Sequence, residues 1–275
     1  MAWVALVLSS CYVNGANQED SGQSGPGRII EKTIDVSRFD DINISSAFAV
    51  EISPSDRYSV TLRFPEAMQE YRVAECRGNE LKLGFDHLES GFSSFFSSDK
   101  RKMRKMIAKY RPTAVITMPT FKGIELSGAS KLTFKGNFKT VEGEIKLSGA
   151  SAAEGALTAR ELKIEAGGAS FVKMNIDVEE FSANISGASS ATLRGLNGAE
   201  GEKMEIEVSG ASKFDGSNLP FRKVEAEASG ASKATVNATE FLEAKASGAS
   251  KIKYTGHSGL LKDIKTRGAS SVTEC

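Results

Sequence analysis

Residues 161–174 read ELKIEAGGASFVKM, and the reading of this stretch decides the fold. Leu162, Ile164, Ala166, Gly168, Ser170, Val172 and Met174 sit two apart, so in an extended chain they share one face. Glu165 and Lys173 fall on the other face. One apolar face and one wet face is the pattern of a half-buried strand. The rule apolar-x-apolar-x-Gly-x-Ser-x-apolar recurs at Ile124–Phe134, Met204–Phe214 and Leu242–Tyr254. Parity puts the Gly and the Ser on the inner side, at a corner where the strand bends.

Working outward, Gly-Ala-Ser recurs with its glycine at Gly128, Gly149, Gly168, Gly187, Gly210, Gly230, Gly248 and Gly268, at intervals of 21, 19, 19, 23, 20, 18 and 20 residues. The matching serines are Ser130, Ser151, Ser170, Ser189, Ser212, Ser232, Ser250 and Ser270. A fixed period of this length is the signature of a stacked-coil architecture. The predicted fold is all-β: a single-stranded β-helix, or solenoid, with about 20 residues per coil and coils stacked at ~4.8 Å. The Ser hydroxyl is expected to satisfy a backbone group left unpaired at the corner. A group needed in every coil is structural, whereas a catalytic group is needed once. Earlier in the chain, Ile42, Ile44, Ser46, Phe48, Val50 and Ile52 keep the alternation, with Ser45-Ser46-Ala47-Phe48 at the motif's place. This reads as a degenerate first coil. Short strands around Val60, Tyr71 and Leu81 then continue and cap the solenoid.

Composition agrees with a folded protein: 40% hydrophobic and 25% charged residues, with a formal net charge of zero that excludes steering to nucleic acid. Few aromatics predict a thin core of Ala, Val, Ile and Leu. Three Cys and two His leave neither a disulfide framework nor a multi-histidine metal site, and no cofactor motif is present. Acidic residues recur five before the motif glycine at Glu144, Glu205, Glu225, Glu243 and Asp263. Lys163 interrupts that column, and the spacing of a calcium loop is absent. It reads as a solvated charged face.

The N-terminus reads as an address. Ala2–Leu8 is a short apolar run followed by Leu8-Ser9-Ser10-Cys11, which looks like a bacterial lipobox. Residues 1–10 are then a signal peptide, Cys11 the lipidated residue, and 11–27 a Gly/Ser-rich flexible linker. No Lys or Arg precedes the run, which fits a start upstream of Met1. Residues 28–275 form the folded domain, with the eight Gly-Ala-Ser coils over 124–275.

Residues 88–111 interrupt the pattern. Phe92, Phe95 and Phe96 precede Lys100, Arg101, Lys102, Arg104, Lys105, Lys109 and Arg111. Met103, Met106, Ile107 and Tyr110 have helical spacing, so a basic amphipathic helix is expected. It either contacts an anionic glycan or membrane surface, or docks its apolar side on the solenoid.

The stretch from Ala114 through Pro119 to Ser130, a strand, a Pro and the first Ser-Gly-Ala-Ser, resembles the auto-transporter adhesin "head GIN" domain family. The likeness runs from about Phe39 to the C-terminus. It implies a β-helical domain of a bacterial envelope lipoprotein, outer-membrane, periplasmic or surface-exposed, with an adhesion role and no catalytic residues. The expected partners are the membrane through the lipid anchor, a glycan or surface protein, and a second copy through the C-terminal end. The rival readings are a polysaccharide-active β-helix enzyme and a self-assembling structural envelope protein.

Overall fold

The computed structural model describes residues 28–85, 105–257 and 259–275. Each Gly-Ala-Ser coil contains a strand before the turn and a strand after it. Pre-turn strands stack on pre-turn strands in parallel, as in Glu142–Leu147 against residues 161–166, with Ile145 opposite Ile164. Post-turn strands do the same, with Ala153 of one coil opposite Val172 of the next. Two parallel ladders therefore run along the solenoid, and their inward side chains meet in one core. Alternation continues through the 15-residue strands Ala152–Ala166 and Phe171–Ile185, each of which serves both ladders. The exposed pair Glu179 and Glu180 marks where the chain passes from one ladder to the other.

The corner explains the motif, with one correction to the parity argument. The motif glycines are exposed, and only the serines point inward: Ser130, Ser151, Ser170, Ser189, Ser212, Ser232 and Ser250 are all buried. Every motif glycine has a φ near +70°, in the left-handed region. Such a residue turns the chain and carries the glycine outward at the tip of the corner, while the inward alternation resumes in phase at the serine. The glycines also stack. A Cβ on Gly168 would lie 2.5 Å from the carbonyl oxygen of Gly149, and one on Gly187 equally close to that of Gly168. Ala169 N–H donates to the Gly149 carbonyl at 2.7 Å, tying successive corners together. The Ser hydroxyls close the turn: Ser151 Oγ donates to Ser148 O at 2.7 Å, and Ser170 Oγ to Gly167 O at 2.7 Å.

Two further layers precede the Gly-Ala-Ser stack, and the chain does not lay them down in order. Asp41–Ile44 and Ala49–Pro54 pair in parallel with Gly123–Leu126 and Lys131–Lys139. On their other side lie Glu80–Phe85 and Thr113–Met118. The coil expected to be first is thus second in the stack. Antiparallel strands close this end: Ile29–Ile34 on Ser59–Pro65, Ser59–Pro65 on Thr113–Met118, and Arg72–Arg77 on Glu80–Phe85.

The core is more aromatic than composition suggested. Phe121, Phe134 and Phe138 form one ring cluster with centroids 5.6–5.7 Å apart. Phe181 contacts Phe214 and Phe221 in a second. These rings fill width that short aliphatic chains would leave empty. Later coils are lined more by Ala226, Ala228, Ala234, Ala244 and Ala246. At the far end, Ile264 and Leu261 are 41% and 67% exposed, and Lys262 lies over the Tyr254 ring, 5.3 Å from its centroid.

Candidate functional site

Because coils stack in register, each outward position becomes a column of side chains. On the pre-turn ladder the middle column runs Asp41, Gly123, Glu144, Lys163, Ser182, Glu205, Glu225, Glu243, Asp263. The column beside it, nearer the turn, runs Asn43, Glu125, Lys146, Glu165, Asn184, Glu207, Glu227, Lys245, Lys265. Carboxylates outnumber cations on this flank. Lysines are shared between acids: Lys163 reaches Glu144 at 2.9 Å and also Glu165, and Lys245 reaches Glu227 at 2.8 Å and Glu243 at 2.9 Å. These hydrogen bonds push both ammonium groups well above the usual lysine range. Burial favours a raised Glu144, but hydrogen bonds from Lys146 and Lys163 outweigh it and hold the carboxyl below the usual range. Exposed pairs of this kind stabilise little, about 0–1 kcal/mol each. A groove of about 710 Å³ crosses this flank beside Asp40, Lys122, Glu142 and Lys163. Among the described residues, no group of three or more His, Cys, Asp or Glu is arranged to hold a metal ion.

The post-turn ladder carries the opposite balance. The column directly after the motif serine runs Ala49, Lys131, Ala152, Phe171, Ser190, Lys213, Lys233, Lys251, Ser271. The next outward column runs Glu51, Thr133, Glu154, Lys173, Thr192, Asp215, Thr235, Lys253, Thr273. In the early coils the cations are paired, Lys131 with Glu154 at 2.6 Å and Lys135 with Glu51 at 2.9 Å. The first of these pairs lowers the Glu154 carboxyl through the Lys131 hydrogen bond. Further along, Lys173, Arg194, Lys233, Lys251 and Lys253 make no ion pair among the described residues. The zero net charge of the chain therefore hides a division into an acidic and a basic flank. A whole-chain sum could not show it. Reading charge by strand parity and turn position could have.

The insertion has a definite place in this plan. Glu80–Phe85 is a pre-turn strand and Thr113–Met118 a post-turn strand of one layer, so the insertion joins two strands that in other coils are joined by a four-residue corner. Residues 105–109 form a short helix with Lys105 exposed and Ile107 buried. Met106 packs against the core. Arg111 Nε donates to Ala47 O at 3.1 Å and its Nη2 to Ala129 O at 2.7 Å, bridging the corners of two stacked coils. The described part of the insertion thus docks its apolar side. Phe92, Phe95, Phe96, Lys100, Arg101, Lys102 and Arg104 lie outside the described residues, as do Cys11 and the linker. The motif glycines and serines form the corner itself. Cys76 is buried and Cys275 exposed, both unbridged.

Residues 38–258 match the family model described as "Putative auto-transporter adhesin, head GIN domain". The chain belongs to this family. The matched span includes both charged flanks through Lys253 and the 86–112 insertion. Among solved structures, the chain is similar to a "putative lipid binding protein" from Parabacteroides distasonis, with TM-score 0.78 and 19% identity over 91% of this chain and 98% of that one. A "putative adhesin" from the same species gives 0.75 and 17%, with the same coverage. One from Parabacteroides merdae gives 0.74 and 16%, again over 91% and 98%. At such identity these likenesses establish the shared solenoid fold. No curated protein matches the chain. Family membership supports an adhesin-like, envelope-associated β-solenoid. Among the described residues no helix is long and apolar enough to cross a membrane.

Proposed function

We propose that this protein is a lipid-anchored envelope protein whose solenoid is a non-catalytic binding domain of the adhesin type. The observation that carries the reading is the repetition of outward chemistry. Runs of like charge recur in consecutive coils on both flanks, Glu205, Glu225, Glu243 and Asp263 on one and Lys213, Lys233 and Lys251 on the other, which suits contact with an extended or repeating partner. An active site instead needs acids, bases or nucleophiles converging on one point. The family's adhesin description points the same way. The Leu8–Cys11 tetrapeptide and the linker behind it support acylation at Cys11 and residence at the outer membrane.

The test has two parts. Cys11→Ala is expected to shift the protein from the membrane to the soluble fraction; unchanged attachment sinks the anchor. The purified domain, residues 28–275, is expected to retain one or more ligands on a glycan array while leaving them uncleaved. Turnover of any of those glycans would replace this reading with that of a polysaccharide-active enzyme. A second reading, self-association along the edge strand Leu261–Thr266, rests on the exposed Leu261 and Ile264. A mass by light scattering that stays monomeric at high concentration excludes it.

A further inference from the structure

Five outward positions in one column of the post-turn ladder are occupied by Phe171, Ser190, Lys213, Lys233 and Lys251 in consecutive coils. At ~4.8 Å per coil they span roughly 19 Å in a straight rank. Phe171 is 44% exposed, the one ring among the exposed large hydrophobic side chains of the described residues. Lys233 and Lys251 are exposed and have no acidic partner among the described residues, and Lys253 stands beside Lys251 in the next column. Two acids share this part of the ladder. Asp215 lies 3.8 Å from Lys213, at the long edge of ion-pair distance, and also accepts a 2.9 Å bond from Ser217 Oγ, so it compensates Lys213 only in part. Asp177 lies six residues beyond Phe171, near the middle of its 15-residue strand and outside the two columns nearest the turn.

Lys233 and Lys251, unpaired and opposite one another in neighbouring parallel strands, repel one another. The fold accepts that cost in adjacent coils, where a glutamate or threonine at the same position would remove it. A row of positive charge at fixed spacing is complementary to a polymer with negative charge at a similar spacing. An exposed ring in line with that row offers an apolar plate on which a sugar face can stack, and the neighbouring hydroxyls offer hydrogen bonds. We propose that this rank binds a linear acidic polysaccharide with its axis along the solenoid, the carboxylates on Lys213, Lys233 and Lys251 and one sugar on Phe171. The assignment rests on the reading of the solenoid as a binding domain and names its partner class. A membrane surface fits less well. A basic face that inserts into lipid carries several exposed apolar side chains beside its lysines, and here a single ring stands in the rank.

The test uses the domain with polygalacturonate as the acidic probe, dextran as the neutral one, and vesicles of phosphatidylglycerol and phosphatidylcholine as the lipid arm. Binding of polygalacturonate is expected, weakening steeply with added salt, with dextran and vesicles left unbound. The triple variant K213Q/K233Q/K251Q should lose about fivefold in affinity per lysine, roughly a hundredfold in all. F171A should weaken binding without changing its salt dependence. K203Q/K223Q, at two stacked positions of the pre-turn ladder on the acidic flank, removes two charges away from the rank and should weaken binding by no more than about twofold. All replaced side chains are outward, and an unchanged thermal melt checks the fold of each variant. Polygalacturonate binding that survives the triple substitution overturns the assignment. So does vesicle binding without polygalacturonate binding, which would make the rank a lipid-headgroup site. A domain that ignores polygalacturonate yet retains neutral glycans on the array also overturns it, while the binding-domain reading stands.

Discussion

The corner at Ser45–Phe48 and the corner at Gly167–Ser170 join the same two ladders in four residues but by different backbone turns. In the first, two non-glycine residues take the left-handed conformation, Ser46 at φ 58° and Ala47 at φ 64°. In the second, Gly168 alone does so, at φ 76°. The difference lies in what is stacked next to each. A Cβ on Gly128, in the corner next to Ser46 and Ala47, would meet nothing nearer than 3.6 Å, whereas one on Gly168 would strike the Gly149 backbone at 2.5 Å. The turn can be made by a side-chain-bearing residue at a cost of roughly 1–2 kcal/mol. The close stacking of one corner on the next cannot. Glycine is thus demanded twice over inside the repeat and once at its border.

Three substitutions break or sharpen this contrast. The largest effect is expected from Gly168→Ala, which combines left-handed strain with a backbone collision and should lower stability by about 3 kcal/mol or more. Urea unfolding checks it, and a loss below about 1 kcal/mol would show that the corners can separate freely. Gly128→Ala, where only the conformation is at stake, should cost about 1 kcal/mol. Equal losses at the two sites would remove the stacking argument. The smallest effect is a gain: Ala47→Gly relieves strain where a second left-handed residue carries a Cβ, raising stability by about 0.5 kcal/mol. A decrease in the unfolding midpoint would mean that the packing of the Ala47 methyl outweighs its strain.

Much of this was legible in the sequence because a solenoid repeats its local rule. The alternation around Gly168 gave the strands, and the interval between glycines gave the coil. Three things were not legible. The outward turn of the glycine depends on a φ angle, and strict parity has no term for a left-handed residue. The order of the first layers depends on pairing: Asp41–Ile44 lies between Glu80–Phe85 and Gly123–Leu126, and nothing local in those strands distinguishes a first coil from a second. Arg111 read as the last charge of a basic run, yet its guanidinium is a clip between the carbonyls of Ala47 and Ala129. Its role comes from Phe85 and Thr113 belonging to one layer, a long-range fact. The two flanks fall between these cases, since each column is written in the sequence but can be summed only after the coils are stacked.

The unequal flanks have a consequence for how the molecule moves near other charged bodies. Separated charge on a neutral particle is a dipole, here lying across the short axis rather than along the length. In the field outside a charged surface, such a particle feels little net pull but a definite torque. It turns before it is drawn in, and it turns about its long axis. Which flank arrives is therefore selected at a distance, within the screening length of the medium, while the position along the length is left free until contact.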